Sequence, residues 1–178
     1  MTDYDVLETL ESFRIIVDTR EQATPKAAER YEAFGVPVER GTLSFGDYCA
    51  NITLPDGGQL HAISERITAP CVIERKMNLD ELAQCFTKGR GRFEREFDRA
   101  AAAHAKVYLL IEDGTIEGII NHRYRSRFRP SAFLASLFAW SARYNLTPIM
   151  CKSATSGQVI KEILYRDMKE RLMRGEFG

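Results

Sequence analysis

Short runs of β-branched apolar residues alternate along the chain with longer stretches whose apolar positions recur every three or four residues. Ile15-Ile16-Val17 within residues 14–18 reads as a strand buried on both faces. Residues 36–40, 48–54, 71–76, 106–112 and 147–151 predict further strands. The turn Pro55-Asp56-Gly57-Gly58 predicts that 59–63 returns as a hairpin partner, with 64–70 a polar connection. Thr24 caps and Pro25 opens a helix that runs to Phe34 and stops at Gly35. Asn78, with Glu81 three residues on, is a capping box for a helix over 79–86, and Lys88-Gly89-Arg90-Gly91 separates it from a longer one over 92–104. Helices are also expected over 115–121, from Pro130 to Tyr144, and over 156–172, after a loose or helical lead-in at 1–13. Strands alternating with helices predict an α/β layer fold with a mixed sheet, the hairpin supplying its antiparallel part. The 178 residues suit one domain spanning 1–178, without repeats or low-complexity segments.

Composition narrows the function classes. No apolar run reaches the roughly eighteen residues of a membrane span, and the acidic N-terminus lacks a secretory core, so the expected location is cytoplasmic. Cys49, Cys71, Cys85 and Cys151 are scattered, which predicts reduced thiols rather than zinc or disulfides. No Gly-rich phosphate loop calls for a nucleotide or other small-molecule cofactor. The formal net charge is zero, but its distribution is uneven. From Gly118 through Lys161 there is no Asp or Glu, while Arg123, Arg125, Arg127, Arg129, Arg143 and Lys152 all occur there, which predicts a basic surface.

The chemistry concentrates at Val72-Ile73-Glu74-Arg75-Lys76. Side chains alternate along a strand, so Glu74 and Lys76 share one face and Arg75 takes the other. Asp47, placed by Gly46 at a strand start, can add a second carboxylate. Two carboxylates bind a hard divalent cation through oxygen, and such a cation polarises a phosphate and acidifies water. A turn aspartate bonding its own backbone and a plain Glu74–Lys76 pair are the simpler alternatives, although the pair leaves Asp47 unexplained. Lys88-Gly89-Arg90-Gly91-Arg92 sets cations between glycines at a helix start, a phosphate-compatible arrangement. His122 to Arg129 interleaves arginines with Tyr124 and Phe128; phosphates suit the cations and unpaired bases can stack on the rings, though a solvated linker has the same composition. Phe133, Leu137, Trp140 and Tyr144 line one helix face, for core packing or a dimer interface.

Gly46-Asp47, Glu74-Arg75-Lys76 and Asp80, with Ile16-Val17-Asp18-Thr19-Arg20-Glu21 upstream and Gly91-Arg92-Phe93 downstream, resemble the signature of the XPF-type structure-selective nucleases, in the family's order over about residues 14–112. The resemblance implies a restriction-endonuclease-like, PD-(D/E)XK fold. It implies Asp47, Glu74 and the Arg75 carbonyl as ligands of Mg²⁺ or Mn²⁺, and Lys76 at the attacking water. Asp18, Arg20 and Asp80 are then further candidates for the catalytic site, and Glu21 for a second metal. Arg90, Arg92, Arg123, Tyr124, Arg125 and Arg127 are candidates for DNA binding. Glu96 stands where the family pattern has Gln. No tandem helix-hairpin-helix is recognisable in residues 113–178, so a homodimer, a helper subunit or the arginine stretch would have to supply DNA binding, as in a compact phage- or prophage-like version. The expected activity is metal-dependent hydrolysis of branched or flapped DNA in repair, recombination or junction resolution; the alternative is a non-catalytic DNA-binding or scaffold subunit.

Overall fold

The computed structural model describes residues 3–177, and the side chains of residues 5–177. The elements run α1 (Asp3–Glu11), β1 (Arg14–Asp18), α2 (Pro25–Glu32), β2 (Val38–Leu43), β3 (Tyr48–Asn51), β4 (Arg66–Ile67), β5 (Cys71–Lys76), α3 (Leu79–Phe86), α4 (Arg90–Ala102), β6 (Lys106–Glu112), α5 (Ile116–Ile120), α6 (Pro130–Arg143), β7 (Leu146–Cys151) and α7 (Ser156–Met173). The strands form one seven-stranded sheet in the order β4-β2-β1-β3-β5-β6-β7. Pairing is parallel within β4-β2-β1 and within β5-β6-β7, and β3 runs antiparallel to both β1 and β5. β3 is therefore the seam between two parallel triplets, and it meets β5 through the single registered pair Tyr48–Ile73.

The two-residue period of the strands separates two cores. Ile16, Val72, Leu109 and Ile111 face α3, α4 and α6. Ile15, Val17, Ile73 and Leu110 face α1 and α7 on the opposite side. Phe86, Phe93, Phe97, Phe133 and Trp140 pack ring against ring in the first core, with Trp140 stacked on Phe93 at 5.1 Å. Most helix limits follow local chemistry. Thr24 accepts a hydrogen bond from the Ala27 amide at the start of α2, and Gly35 leaves that helix with φ +63°. Asn78 likewise caps α3 through the Glu81 amide, but the Glu81 carboxylate reaches the Met77 amide rather than that of Asn78. The helix predicted over 92–104 begins two residues earlier, so Arg90, Gly91 and Arg92 form its first turn.

Two expectations fail. Residues 59–63 form no strand; a Thr53–Gln59 bridge and the backbone bonds from the Leu54 amide to the Gly58 carbonyl and from the Leu60 amide to the Ile52 carbonyl remain of the hairpin. Beyond them the Asn51 side chain holds the returning segment: its Oδ1 accepts from the Ile52 and His61 amides, and its Nδ2 donates to the His61 carbonyl. Arg66–Ile67, read as a polar connection, instead pairs parallel to β2 at the sheet edge. All four cysteines are free thiols. Among the described residues, no helix is long and apolar enough to cross a membrane.

Candidate active site

Asp47 reaches β5 because residue 46 is glycine. Gly46 has φ +76°, and a Cβ there would lie 2.8 Å from Val72 Cβ and 3.3 Å from the Ile73 carbonyl. The Asp47 amide donates to the Ile73 carbonyl, and the Asp18 amide donates to the Asp47 carbonyl, which locks this residue across the seam. Its Oδ2 accepts from the Arg75 amide at 2.7 Å. On β5, Glu74 and Lys76 extend the Val72 side of the strand and are only 5% and 8% exposed. Lys76 Nζ donates to Glu74 Oε1 and lies 5.0 Å from the centre of the Phe93 ring. Glu96, on α4, accepts from the Gly46 amide at 3.2 Å. These groups line the floor of a cleft of about 1780 Å³ whose walls include Lys88, Arg92, Arg125, Arg127 and Arg129.

The floor is short of positive charge. Burial, then the neighbouring Glu74, push the Asp47 carboxyl well above the usual range. Burial and Glu74 push Glu96 up as well. Burial is the largest influence and works against the Lys76 ammonium, but Glu74, Cys85 and Asp47 together outweigh it and raise the lysine above its ordinary value. Lys76 is therefore a fixed cation at neutral pH, and repulsion between the carboxylates is relieved only by a proton or another cation. No three His, Cys, Asp or Glu side chains converge to hold a metal among the described residues. Asp47 and Glu74 nevertheless fit a hard cation: both face the cleft, and Asp47 Oδ1 and Glu74 Oε2 carry no hydrogen bond.

Other predicted residues take different places. Asp18 is fully buried; its Oδ1 accepts from the Arg20 amide and Nε, and its Oδ2 from the Leu43 amide. It anchors β2 and aims Arg20, which lines the cleft. Glu21 turns away from the cleft floor: its Oε1 accepts from the Tyr48 hydroxyl at 2.7 Å and from Arg75 NH2 at 3.0 Å, so its carboxylate is already committed to a cation of the protein. Asp80 bonds the Arg125 and Ser126 amides instead of the catalytic floor. Arg90 lies 5.8 Å from the centre of the Trp140 ring, whereas Arg92 lines the cleft. Tyr124 is half-buried, its ring 5.2 Å from Phe133 and its hydroxyl donating to the Phe128 carbonyl. Arg123, Arg125, Arg127 and Arg129 are exposed and Tyr124 and Phe128 half-buried, a strict alternation along the segment.

Sequence reasoning missed the cluster behind β5. The Arg75 side chain passes to the opposite face and pairs with Glu21 and with Glu112, each at 3.0 Å. Glu112 also pairs with buried Arg30 at 3.0 Å, whose Nε donates to the Ser156 hydroxyl. Glu112 and Arg30 were detectable only as buried-type positions that carry charge, at the end of an apolar strand and on an amphipathic helix.

A mixed sheet with helices on both faces, carrying acids and a lysine at its strand ends, is a restriction-endonuclease-like fold. A family model described as the ERCC4 domain matches residues 17–163, and the chain belongs to that family. Solved structures match as well, 23 chains in all. XPF from Aeropyrum pernix superposes with a TM-score of 0.61 at 21% identity, covering 90% of this chain and 69% of that one. No curated protein matches the chain. Identity at that level speaks for the fold, and the roles of individual side chains rest on the geometry above.

Proposed function

We propose that the chain is a divalent-metal DNA endonuclease that cuts phosphodiester bonds at branched or flapped structures. The observation that carries this reading is the meeting of Asp47, from one side of the seam, with Glu74 and Lys76, from the other, at the floor of an open cleft. Membership of the ERCC4 family, whose nucleases are DNA endonucleases, supports it. Asp47 and Glu74 would hold the cation, with the Arg75 carbonyl as a further oxygen. Mg²⁺ or Mn²⁺ bound there supplies charge to the phosphate and acidity to a water. Lys76, kept protonated by Glu74, donates hydrogen bonds to the phosphate or to the attacking water and does not act as the base. Arg92 and Lys88 lack side-chain hydrogen-bonding partners among the described residues and take flanking phosphates from the cleft wall, Arg92 from the first turn of α4. Arg20, held by Asp18, presents its remaining donors to the same cleft.

Family nucleases bind DNA and often dimerise or take a partner subunit. Ile120 on α5 and Phe138 on α6 are 54% and 49% exposed, so concentration-dependent sedimentation is the corresponding measurement. The functional test is cleavage of labelled flap, fork, four-way and linear duplex DNA in Mg²⁺, Mn²⁺ or EDTA, by the wild type and Lys76→Ala. Metal-dependent cutting of a branched substrate, nearly abolished in Lys76→Ala while binding persists, is the expected outcome. Salt-sensitive binding without cutting in either metal would move the protein to the scaffold class.

A further inference from the structure

Asp80 closes the sequence motif, yet its chemistry is directed elsewhere. It lies in the first turn of α3, and its Oδ1 accepts from the Arg125 amide at 2.6 Å and the Ser126 amide at 3.1 Å. No cation pairs with it among the described residues. The two amides belong to the irregular segment between α5 and α6, which is closed on itself. The His122 Nε2 bonds the Ser126 carbonyl at 2.8 Å, the Tyr124 hydroxyl donates to the Phe128 carbonyl at 2.6 Å, and the Phe128 amide donates to the Ser126 hydroxyl at 3.1 Å. The Tyr124 and Phe128 rings both pack on Phe133. With its aromatics turned in, the segment turns four guanidinium groups out, and none of them has an ion-pair or hydrogen-bond partner among the described residues. Arg125, Arg127 and Arg129 line the cleft together with Lys88 and Arg92. Four like charges within seven residues repel, and no acid of their own stretch of chain offsets them. The carboxylate that ties this segment to the nuclease motif comes from α3.

We propose that Asp80 is a positioning residue: it latches the arginine segment 123–129 beside the cleft, where the guanidinium groups bind DNA phosphates on a strand leading away from the cut. The inference rests on the reading of the cleft as a DNA site. With both rings half-buried against Phe133 and the guanidinium groups outermost, the segment reads chiefly the phosphate backbone. It would give the chain a DNA-binding wall within the nuclease fold itself.

Asp80→Ala removes the acceptor, while Asp80→Asn keeps an oxygen of similar reach. Without DNA, hydrogen exchange at the Arg125 and Ser126 amides should quicken in Asp80→Ala and return towards wild type in Asp80→Asn. With labelled forked DNA in EDTA, Asp80→Ala should weaken binding about tenfold and flatten the log–log salt slope by about 2, the loss of two to three phosphate contacts. In metal, its defect should sit in KM more than in kcat, with rescue by Asp80→Asn. Arg125→Ala/Arg127→Ala should reproduce the slope change, and adding Asp80→Ala to it should cost little more. That double variant keeps the test open if Asp80→Ala does not fold. Equal loss of kcat in Asp80→Asn and Asp80→Ala, or lost Mn²⁺ binding by calorimetry, would overturn the latch in favour of a catalytic or metal role. Wild-type DNA binding that neither Asp80→Ala nor the arginine variant alters would overturn the latch alone. Absence of salt-sensitive DNA binding by the wild type would overturn the DNA reading on which it rests.

Discussion

Two clusters of charge sit back to back on β5, and they differ in one respect. On the α2 and α7 face, Arg75 and Arg30 meet Glu21 and Glu112, with Tyr48 and Ser156 completing the hydrogen bonds. On the α3 and α4 face, Asp47, Glu74 and Glu96 share Lys76 at the floor of the cleft. The first cluster balances its charges and is closed; the second has more carboxylates than cations and is open. Both are built from buried ionisable groups, which are costly unless paired. A buried cluster that satisfies itself becomes scaffold, and one left short of positive charge becomes a place for a ligand. Arg75 joins the two: its side chain belongs to the closed cluster and its amide holds the Asp47 carboxylate of the open one.

The contrast can be broken from either side. The largest effect is expected in the closed cluster: Arg30→Ala should cost about 3 kcal/mol of stability, the low end of the cost of breaking a buried pair because Glu112 keeps Arg75, measured by urea unfolding. Lys76→Ala should cut cleavage about 10²–10³-fold, comparable to losing one preorganised donor at a developing charge, with a smaller shift in the unfolding midpoint. Equal losses of stability in the two variants would erase the distinction.

Asp47 sharpens it. Its carboxyl is raised in the folded state, so the native protein binds a proton that the unfolded chain has released. Stability in EDTA should therefore fall as pH rises from the ordinary carboxylate range through the folded value. Asp47→Asn should flatten that fall and raise the melting temperature on its alkaline side, while abolishing metal-dependent cutting. In the wild type, divalent metal should compete with the proton, so activity should rise with pH over the same window. A melting profile unchanged by Asp47→Asn would show that the open cluster is not strained by its charge. The smallest effect concerns the rim: Arg127→Ala should reduce the salt slope of DNA binding by about 1 and leave stability unaltered.

Much of this was readable in the chain, for local reasons. The strands came from β-branched runs, and the helices from caps and breakers acting within a few residues. Asp47, Glu74 and Lys76 could be named because charges beside buried strands need an explanation, and the motif order supplied one. What escaped depends on distant partners. Arg30 meets Glu112 across 82 positions, and Asp80 meets Arg125 across 45. No periodicity reports such contacts. Composition leaves the Tyr124 ring open to bases or to solvent, whereas alternation puts the cations outside and the half-buried ring against Phe133. The hairpin shrinks to a short turn, beyond which the Asn51 side chain, rather than a backbone ladder, holds His61.

The seam at β3 bears on the order in which the molecule acquires its chemistry. Each parallel triplet can gather its strands from neighbouring stretches of chain, but Asp47 meets Glu74 only when β3 bridges the two. The Tyr48–Ile73 pairing is non-local, as are the pairings within the triplets, and such pairing is slow compared with helix formation. A chain still emerging from synthesis, or one partly unfolded by stress, would carry one carboxylate or the other without the composite pair. The proposed cutting would thereby be confined to molecules in which the seam has closed.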